Sequence, residues 1–355
     1  MNPFAYSKAA NAPAALAQLA AVAGRASAAD ADPGAEAKLL AGGTNLLDLM
    51  KVNLVRCHRL VDINGLPLDA IEALPDGGFR LGALARNADT AYHPAVREGL
   101  PLLSSAILAG ASPQIRNMAT NGGNLLQRTR CHYFYDALTP CNKREPGTGC
   151  PAREGLARQH AILGSSEHCV AVHPSDMCVA LAALGAVVRV RSTRGARDIA
   201  FADFHRLPED RPEQDTTLAP DELIEHIAIA PLRQYAAHSV YLKLRERQSY
   251  AFALVSVAAA LDLGPDGRIR GARLALGGVA HKPWRDIGAE ALLQGQPPQT
   301  AVFERAAEAV LQGAVPRGRG VGSNAFKIPM ARRAIVRALQ TAARGTVPNT
   351  GRNLA

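Results

Sequence analysis

The feature that most constrains this fold is an irregular stretch, residues 128–170, that contains four cysteines: Cys131, Cys141, Cys150 and Cys169. The stretch is rich in Gly, Pro, Arg and His and has little periodicity, so it is not predicted to form a hydrophobic core of its own. Segments of this kind are organised by the ligands that they bind. Four thiolates in one segment favour an iron–sulfur cluster, for which Cys is the usual ligand.

Other uses of these cysteines stay open on the residues alone. The gaps of nine, eight and eighteen residues contain no CxxC pair, so zinc-ribbon and ferredoxin spacings are absent. A four-cysteine zinc site, disulfides in an exported protein and unrelated buried thiols each agree with the pattern. His168, beside Cys169, is a further candidate ligand. Cys57 and Cys178 fall outside the pattern and are predicted to be core thiols.

The net charge of +9 raises the question of nucleic-acid binding. Only 5% of the residues are aromatic, and the Lys and Arg residues are scattered, so no nucleic-acid partner is predicted. Part of the excess would neutralise anionic cofactors. The basic residues of the cysteine segment, which would offset a cluster's charge or form a solvated face, are Arg128, Arg130, Lys143, Arg144 and Arg153.

Bulk properties predict a globular protein of two or three domains, since the chain has 355 residues, 48% of them hydrophobic and 20% charged. It contains no run of about 18 apolar residues, so no membrane span is predicted. The amino terminus lacks a basic region followed by an apolar stretch, so we expect no signal peptide and synthesis in the cytoplasm. A periplasmic location would require co-export with a partner that carries a signal.

Two glycine turns each follow a buried segment. Residues 41–46 (AGGTNL) join a predicted strand to a helix that begins at Leu46, and residues 120–125 (TNGGNL) lead into the cysteine segment. Turns of this kind present free backbone amides, which suits a pyrophosphate. Neither matches GxGxxG or a P-loop, and a sharp corner that needs glycine would explain each one alone. Two such turns in adjacent units favour a shared nucleotide.

These turns resemble the flavin subunits of the xanthine dehydrogenase and carbon monoxide dehydrogenase family of molybdenum hydroxylases. The resemblance runs from residue 4 to about 340 and includes residues 113–117 (PQIRN), 173–176 (HPSD) and 241–247 (YLKLRER). It implies an α+β fold. Two α/β subdomains of the PCMH type would bind FAD, and a small carbon monoxide dehydrogenase flavoprotein-type domain of antiparallel strands and helices would follow.

The order of predicted strands and helices sets the domain boundaries, and the resemblance names the domains: FAD-binding subdomain 1 at residues 1–55 and subdomain 2 at 56–235, with the iron–sulfur insertion at about 128–170. The C-terminal α+β domain would cover 236–343, and 344–355 would be a mobile tail or a partner-binding arm. The acidic, proline-rich segment 208–220 is predicted to be a solvent-exposed loop.

The resemblance also implies site residues. The two turns would bind the FAD pyrophosphate, Asp176 the ribityl or ribose hydroxyls, and Lys243 would lie near the isoalloxazine. Otherwise, Lys243 would be a solvated lysine and Asp176 a helix amino-terminal acid. No catalytic acid or base is implied. The implied FAD-binding residues are Ala41, Gly42, Gly43, Thr44, Asn45, Leu46, Ser112, Gln114, Thr120, Gly122, Gly123, Asn124, Asp176 and Lys243.

The cysteine segment stands where most of the family runs almost directly from the glycine turn to the proline–aspartate helix. It resembles a narrower branch, 4-hydroxybenzoyl-CoA reductase and the periplasmic aldehyde oxidoreductases, whose flavin subunits carry a [4Fe–4S] cluster at this position. The resemblance implies that the four cysteines hold such a cluster. Whether that cluster lies on the electron path is left open.

The implied function is that of an electron-transfer subunit in a heterotrimeric molybdenum-containing aldehyde oxidoreductase. Its partners would be a large subunit with the molybdenum cofactor and a small subunit with two [2Fe–2S] clusters. Electrons would pass from these centres through FAD to an external acceptor. Two alternatives are a stand-alone PCMH-type flavin oxidase with its own organic substrate, and a non-enzymatic assembly or zinc-binding scaffold.

Overall fold

The computed structural model describes residues 1–23 and 37–346. Within these residues the chain forms three β-sheets and a set of mostly short helices. The strands are β1 (Ala5–Lys8), β2 (Ala37–Leu40), β3 (Arg59–Asp62), β4 (Ile71–Ala73), β5 (Phe79–Gly82), β6 (Val187–Ser192), β7 (Gly195–Ala200), β8 (Leu223–Ile229), β9 (Ser239–Leu244), β10 (Val255–Leu263), β11 (Ile269–Gly277) and β12 (Trp284–Arg285).

The helices lie between these strands and after the last of them, and five helices come in direct succession before the cysteine segment. They are α1 (Ala12–Ala23), α2 (Leu46–Lys51), α3 (Asn87–Tyr92), α4 (Pro94–Gly99), α5 (Pro101–Ala109), α6 (Pro113–Met118), α7 (Asn121–Leu125), α8 (His132–Tyr135), α9 (Asp176–Leu184), α10 (Phe201–Phe204), α11 (Ile287–Ala291), α12 (Thr300–Val310) and α13 (Lys327–Arg344). None of the helices in the described ranges has both the length and the apolarity that crossing a membrane requires.

The first unit is a parallel sheet with the strand order β1-β3-β2. Its central strand β3 is buried on both faces: Leu60 packs with Met50, and Val61 packs with Leu16 of α1. Burial of both faces is typical of parallel sheets. The expected boundary after residue 55 is therefore wrong, because it separates β3 from the two strands that pair with it. The first unit extends at least to Asp62.

The second unit is built on a five-stranded sheet with the order β4-β5-β8-β6-β7. All its pairings are antiparallel, and helices pack against the sheet, in agreement with the mixed α+β fold that was expected. Helix α9 packs into its core. That helix begins at Asp176, where the Ser175 hydroxyl caps it by accepting a hydrogen bond from the Cys178 amide at 3.1 Å.

The C-terminal unit is a four-stranded antiparallel sheet, β12-β11-β10-β9, covered by α12 and α13. Strand β10 is buried on both faces, which explains its continuous apolar sequence. Val257 and Leu261 face the helices of this unit, whereas Ala258 and Ala260 belong to the core of the second unit. The two units thus share one strand as common core.

The start of the expected tail is fixed to the C-terminal unit. The Thr346 amide donates to the Ala237 carbonyl at 2.7 Å, and its hydroxyl accepts from the Ser239 amide at 2.7 Å. Residues 344–346 therefore contradict the prediction of a mobile tail. The remainder of that segment, from residue 347, lies outside the described residues.

Candidate functional site

A cleft of about 1490 Å³ lies where the first, second and C-terminal units meet. This exceeds the volume of roughly 300–1,000 Å³ that is typical of small-ligand pockets, so the cleft has room for a long ligand. Every residue predicted to bind FAD lines it except Ser112 and Gln114. Ser112 instead caps α6, with its hydroxyl accepting from the Ile115 amide at 3.3 Å, and Gln114 is exposed.

The first glycine turn connects β2 to α2 along one wall of the cleft. Gly43 has φ of 73°, a conformation that favours glycine, and a Cβ added to Gly42 would lie 2.0 Å from the Met118 carbonyl oxygen. Both glycines are therefore required by the chain's own packing. The Asn45 carbonyl Oδ1 accepts from the Arg128 amide at 3.0 Å, whereas its buried Nδ2 has no protein partner. An unpaired buried donor in a cleft wall indicates a ligand acceptor.

The second predicted turn is in fact the short helix α7. The Thr120 hydroxyl caps this helix by accepting from the Gly123 amide at 3.2 Å. Asn124 is also engaged, since its Oδ1 accepts from the Ser175 hydroxyl at 2.5 Å and its Nδ2 donates to Asn87 Oδ1 at 2.7 Å. Fewer groups are thus left for a ligand here than a glycine loop would provide.

Asp176 and Lys243 form a buried ion pair in the cleft wall. Lys243 Nζ lies 2.7 Å from Asp176 Oδ2, and the side chains are only 4% and 6% exposed for Lys243 and Asp176 respectively. Lys243 also donates to the Ala109 carbonyl at 3.0 Å, and the Tyr241 hydroxyl donates to Asp176 Oδ1 at 2.7 Å. Burial and the adjacent Asp176 charge raise the pKa of Tyr241 well above its usual value. Lys243 is therefore not a solvated lysine, whereas Asp176 is a helix amino-terminal acid that also pairs with Lys243.

The four cysteines of the irregular segment converge, as predicted, on one small cavity. No disulfide joins any of the six cysteines, all of which lie in the described ranges. Burial and the other cysteines raise the pKa of Cys131 to about 12 and that of Cys169 to about 11. His160 Nε2 lies 3.0 Å from Cys131 Sγ. Such a cavity needs bound cations to hold thiolates.

The spacing of these sulfurs bears on the metal. Zinc–thiolate bonds of about 2.3 Å place the sulfurs of a tetrahedral site about 3.8 Å apart. Within the described residues, no three of the four cysteine sulfurs form a group in which all members lie within 4.8 Å of one another. A cubane cluster separates its ligand sulfurs further, because each one binds a different iron.

The cysteine segment is held in place by its basic residues. Lys143 is only 1% exposed, and its ammonium donates to Asp215 Oδ1 at 2.6 Å, the Pro212 carbonyl at 2.6 Å and His281 Nε2 at 2.8 Å. Arg144 donates to the Tyr133 carbonyl at 2.6 Å. The prediction of a solvated basic face is therefore wrong for these two residues. The Lys143 charge also lowers the pKa of Cys169, although burial outweighs it.

Residues 208–220 are not the solvent-exposed loop that their composition predicted. Asp215 faces inwards, where it pairs with Lys143 and Arg128, and the residues after it line the cleft. Burial alone would raise the pKa of Asp215, but the charges of Lys143 and Arg128 hold it well below its usual range. Nothing in the local sequence distinguishes Asp215 from the exposed acids around it, because its partners are distant along the chain.

Comparison with known proteins assigns the chain to a family. Residues 3–232 match the family model described as "FAD binding domain in molybdopterin dehydrogenase", and residues 240–342 match "CO dehydrogenase flavoprotein C-terminal domain". The chain belongs to the family of FAD-binding subunits of the molybdenum hydroxylases. It is thus a subunit of an oxidoreductase.

Similar proteins support this assignment. The FAD-binding subunit is 49% identical over 307 residues to the aldehyde oxidoreductase FAD-binding subunit of Escherichia coli, covering 86% of this chain and 91% of that protein. It is 28% identical to the nicotine 6-hydroxylase medium subunit of Paenarthrobacter nicotinovorans, covering 77% and 78%. A carbon monoxide dehydrogenase structure from Hydrogenophaga pseudoflava shares the fold, with a TM-score of 0.72, 24% identity, and coverage of 97% and 99%.

The cleft of the FAD-binding subunit fits FAD on its own geometry. Its volume admits a dinucleotide, and the unpaired Asn45 Nδ2 is available to donate to a pyrophosphate or ribityl oxygen. Asp176 can accept further hydrogen bonds from ligand hydroxyls, since an ionised carboxylate accepts about four. The Lys243 ammonium, already paired, would contribute orientation rather than a mobile proton.

The pH dependence of stability should report on His281. Its Nδ1 bonds to the Arg206 carbonyl at 2.8 Å, so we assign the proton to Nδ1 and leave Nε2 to accept from Lys143. Burial, followed by the Lys143 charge, lowers the pKa of His281 to about 4. The unfolded chain, with a histidine pKa of about 6.5, therefore binds the proton first as pH falls.

We therefore expect the stability that depends on neutral His281 to be fully present above about pH 6.5. The free energy of unfolding should fall by up to about 1.4 kcal/mol per pH unit as the pH is lowered towards 4. His281→Gln, which keeps an acceptor for Lys143, should flatten the slope by that amount. Urea unfolding of both proteins between about pH 4.5 and 7 measures it. Parallel slopes would mean that His281 is not held neutral.

Proposed function

We propose that this subunit carries FAD in the cleft and a [4Fe–4S] cluster on Cys131, Cys141, Cys150 and Cys169. The observation that carries the proposal is the convergence of all four cysteines on one cavity beside the cleft. A second small cavity is lined both by Cys131 and by Asp176 of the cleft wall. The cluster would thus lie near the cleft that holds FAD in this proposal.

We further propose that the complex is an aldehyde oxidoreductase. Support comes from the 49% identity to an E. coli protein that is named as the FAD-binding subunit of such an enzyme. The partners would be a large subunit with the molybdenum cofactor and a small subunit with two [2Fe–2S] clusters. The term "medium subunit" in the name of the nicotine 6-hydroxylase relative agrees with a three-subunit arrangement.

In this proposal the substrate is oxidised in the large subunit, and electrons pass from the FAD-binding subunit to an external acceptor. FAD, when bound, supplies the ability to take up electrons in pairs and release them singly. The chain's own residues bind and orient it: the two glycine-containing segments form the wall, and the Asp176–Lys243 pair fixes the edge where the C-terminal unit meets the cleft.

The test is the cofactor content of a cysteine variant of the intact complex. Cys141→Ser should remove about four iron and four sulfide per copy of this chain, since each cysteine binds one iron of the cubane. It should leave FAD bound, because Cys141 does not line the cleft. Cys57→Ala, a buried cysteine beside Met50, is the matched control and should leave iron and flavin unchanged.

Two outcomes would contradict this assignment. One is that iron and sulfide are unchanged in Cys141→Ser. The other is that the wild-type segment contains zinc without sulfide, which would favour a structural metal instead. The mass of the purified assembly separately tests the partners: a stand-alone oxidase would be active without a large and a small subunit.

A further inference from the structure

Three metal-ligating side chains outside the cysteine segment meet behind the cleft wall: His173, Cys178 and His205. Among the described residues, they are the group of histidine, cysteine or acidic side chains whose ligand atoms all lie within 4.8 Å of one another, and all three are buried. They come from the extended segment before α9, from the first turn of α9 and from the residue after α10. The group of His173, Cys178 and His205 therefore brings together the segment at the start of α9 and the segment after α10.

Two of the ring nitrogens in this group have no hydrogen-bond partner. His205 Nε2 bonds to the Leu125 carbonyl at 2.8 Å, which assigns the proton to Nε2 and leaves a lone pair on Nδ1. That Nδ1 is buried and unpartnered, as is His173 Nε2. A buried unpaired polar atom costs about 1–3 kcal/mol, so two at one place call for an explanation.

A hydrogen bond between the two imidazole rings does not explain the unpaired nitrogens. The ring centroids of His173 and His205 lie 4.3 Å apart and the planes are inclined by 59°, an arrangement in which neither unpaired nitrogen bonds to the other ring. The other ring nitrogen of His173, Nδ1, makes one long contact of 3.4 Å with the Ser175 amide. Shifting the His173 proton to Nδ1 gives up this contact and leaves the Nε2 lone pair free for a ligand.

The surroundings are compatible with a cation. Burial lowers the pKa of His173 and His205, so both imidazoles are neutral, the form that binds metals. The Asp215 charge raises the pKa of both imidazoles. Lys282 lowers the pKa of His205, and His281 lowers the pKa of His173. Cys178 is a thiol until a metal displaces its proton, since burial raises its pKa to about 12.

We propose that His173 Nε2, His205 Nδ1 and Cys178 Sγ bind a zinc ion. Two imidazoles and one thiolate match the borderline-soft character of Zn²⁺. The binding step is balanced: Zn²⁺ forms two bonds to nitrogen and one to sulfur, and the Cys178 thiol releases one proton to solvent. The fourth position of the tetrahedron is left to a non-protein ligand.

Such an ion would fix one wall of the cleft. Cys178 lies two residues after Asp176, which holds Lys243, and His205 itself lines the cleft. A zinc bridge from α9 to the segment after α10 would hold these two parts of the wall at a constant separation. The inference stands apart from the proposed iron–sulfur cluster, because it uses none of the four cysteines that would bind iron.

Diffraction from the intact complex tests the site without any substitution. Crystals grown from protein supplied with ZnCl₂ should give an anomalous difference peak above the zinc absorption edge and none below it. The peak should lie about 2.0–2.1 Å from the two nitrogens and about 2.3 Å from the sulfur. Absence of a peak between the three residues, or a zinc peak only at the four cysteines, would overturn the proposal.

Elemental analysis of variants gives the matched measurement in solution. Cys178→Ala should lose one zinc per chain and lower the affinity for Zn²⁺ more than about 100-fold, since even partners outside the coordination sphere contribute 10–100-fold. Iron content should not change. Cys57→Ala, another buried cysteine, should keep the zinc. Because Cys178→Ala could disturb packing, Cys178→Ser provides a second variant of nearly the original volume. Zinc retained in both variants would refute the site.

Discussion

Asp215→Asn is expected to lower the free energy of unfolding by about 3–5 kcal/mol. The substitution preserves the size of the side chain but removes the negative charge that pairs with Lys143 and Arg128. Lys143 is 1% exposed, so its ammonium cannot turn to water once the carboxylate is gone. Breaking one side of a buried pair is costly because the remaining charge stays desolvated.

The Asp215→Asn variant should lose FAD and should also destabilise the cysteine segment. Residues after Asp215 line the cleft, whereas Lys143 belongs to the segment that contains the four cysteines. Urea unfolding gives the free energy, and flavin and iron content give the two losses. Glu308→Gln is the control, because its partner Arg332 is exposed and such pairs contribute at most about 1 kcal/mol. Equal effects of the two substitutions would refute the role of Asp215.

Gly42→Ala is expected to abolish tight FAD binding and to destabilise the fold by about 1–3 kcal/mol or more. The added Cβ would lie 2.0 Å from the oxygen and 2.8 Å from the carbon of the Met118 carbonyl. Both atoms are backbone, so the clash is relieved only by moving the first unit away from the end of α6. That movement opens the cleft between the segments that would bind the pyrophosphate.

The control for this variant is Gly65→Ala. There the added Cβ would meet Lys8 Cε at 3.2 Å, near the end of a flexible side chain, so the chain can yield at little cost. Flavin released from the purified proteins measures occupancy, and thermal unfolding measures stability. Full FAD occupancy in Gly42→Ala would contradict the position of the cleft as the FAD site.

The sequence revealed the site through residue types that serve one kind of chemistry. Four cysteines in a segment without periodicity predicted their own convergence, and glycine after a buried strand predicted the cleft wall at residues 41–46. The sequence did not, however, predict why glycine is required at these positions. Gly42 and Gly43 are required by contact with Met118 and by a positive φ, and neither requirement can be read from the local sequence.

The sequence does not predict features that depend on partners far away along the chain. Asp215 was predicted to be exposed because its neighbours are Pro, Glu and Gln, yet it is the counter-ion of a lysine that lies 72 residues earlier. Ser112 was assigned to FAD, but its hydroxyl caps α6. Strand β3 was placed in the wrong unit because a strand's partners are set by sheet topology, which a single strand's sequence does not encode.

The central claim, that this subunit holds FAD in the cleft, is tested most directly by the flavin content of the intact complex. Acid-released flavin should be FAD, at one equivalent per copy of this chain. The same complex with Gly42→Ala should contain almost none, while Gly65→Ala should match the wild type. A purified wild-type complex without flavin, or one whose FAD is unaffected by Gly42→Ala, would contradict the account.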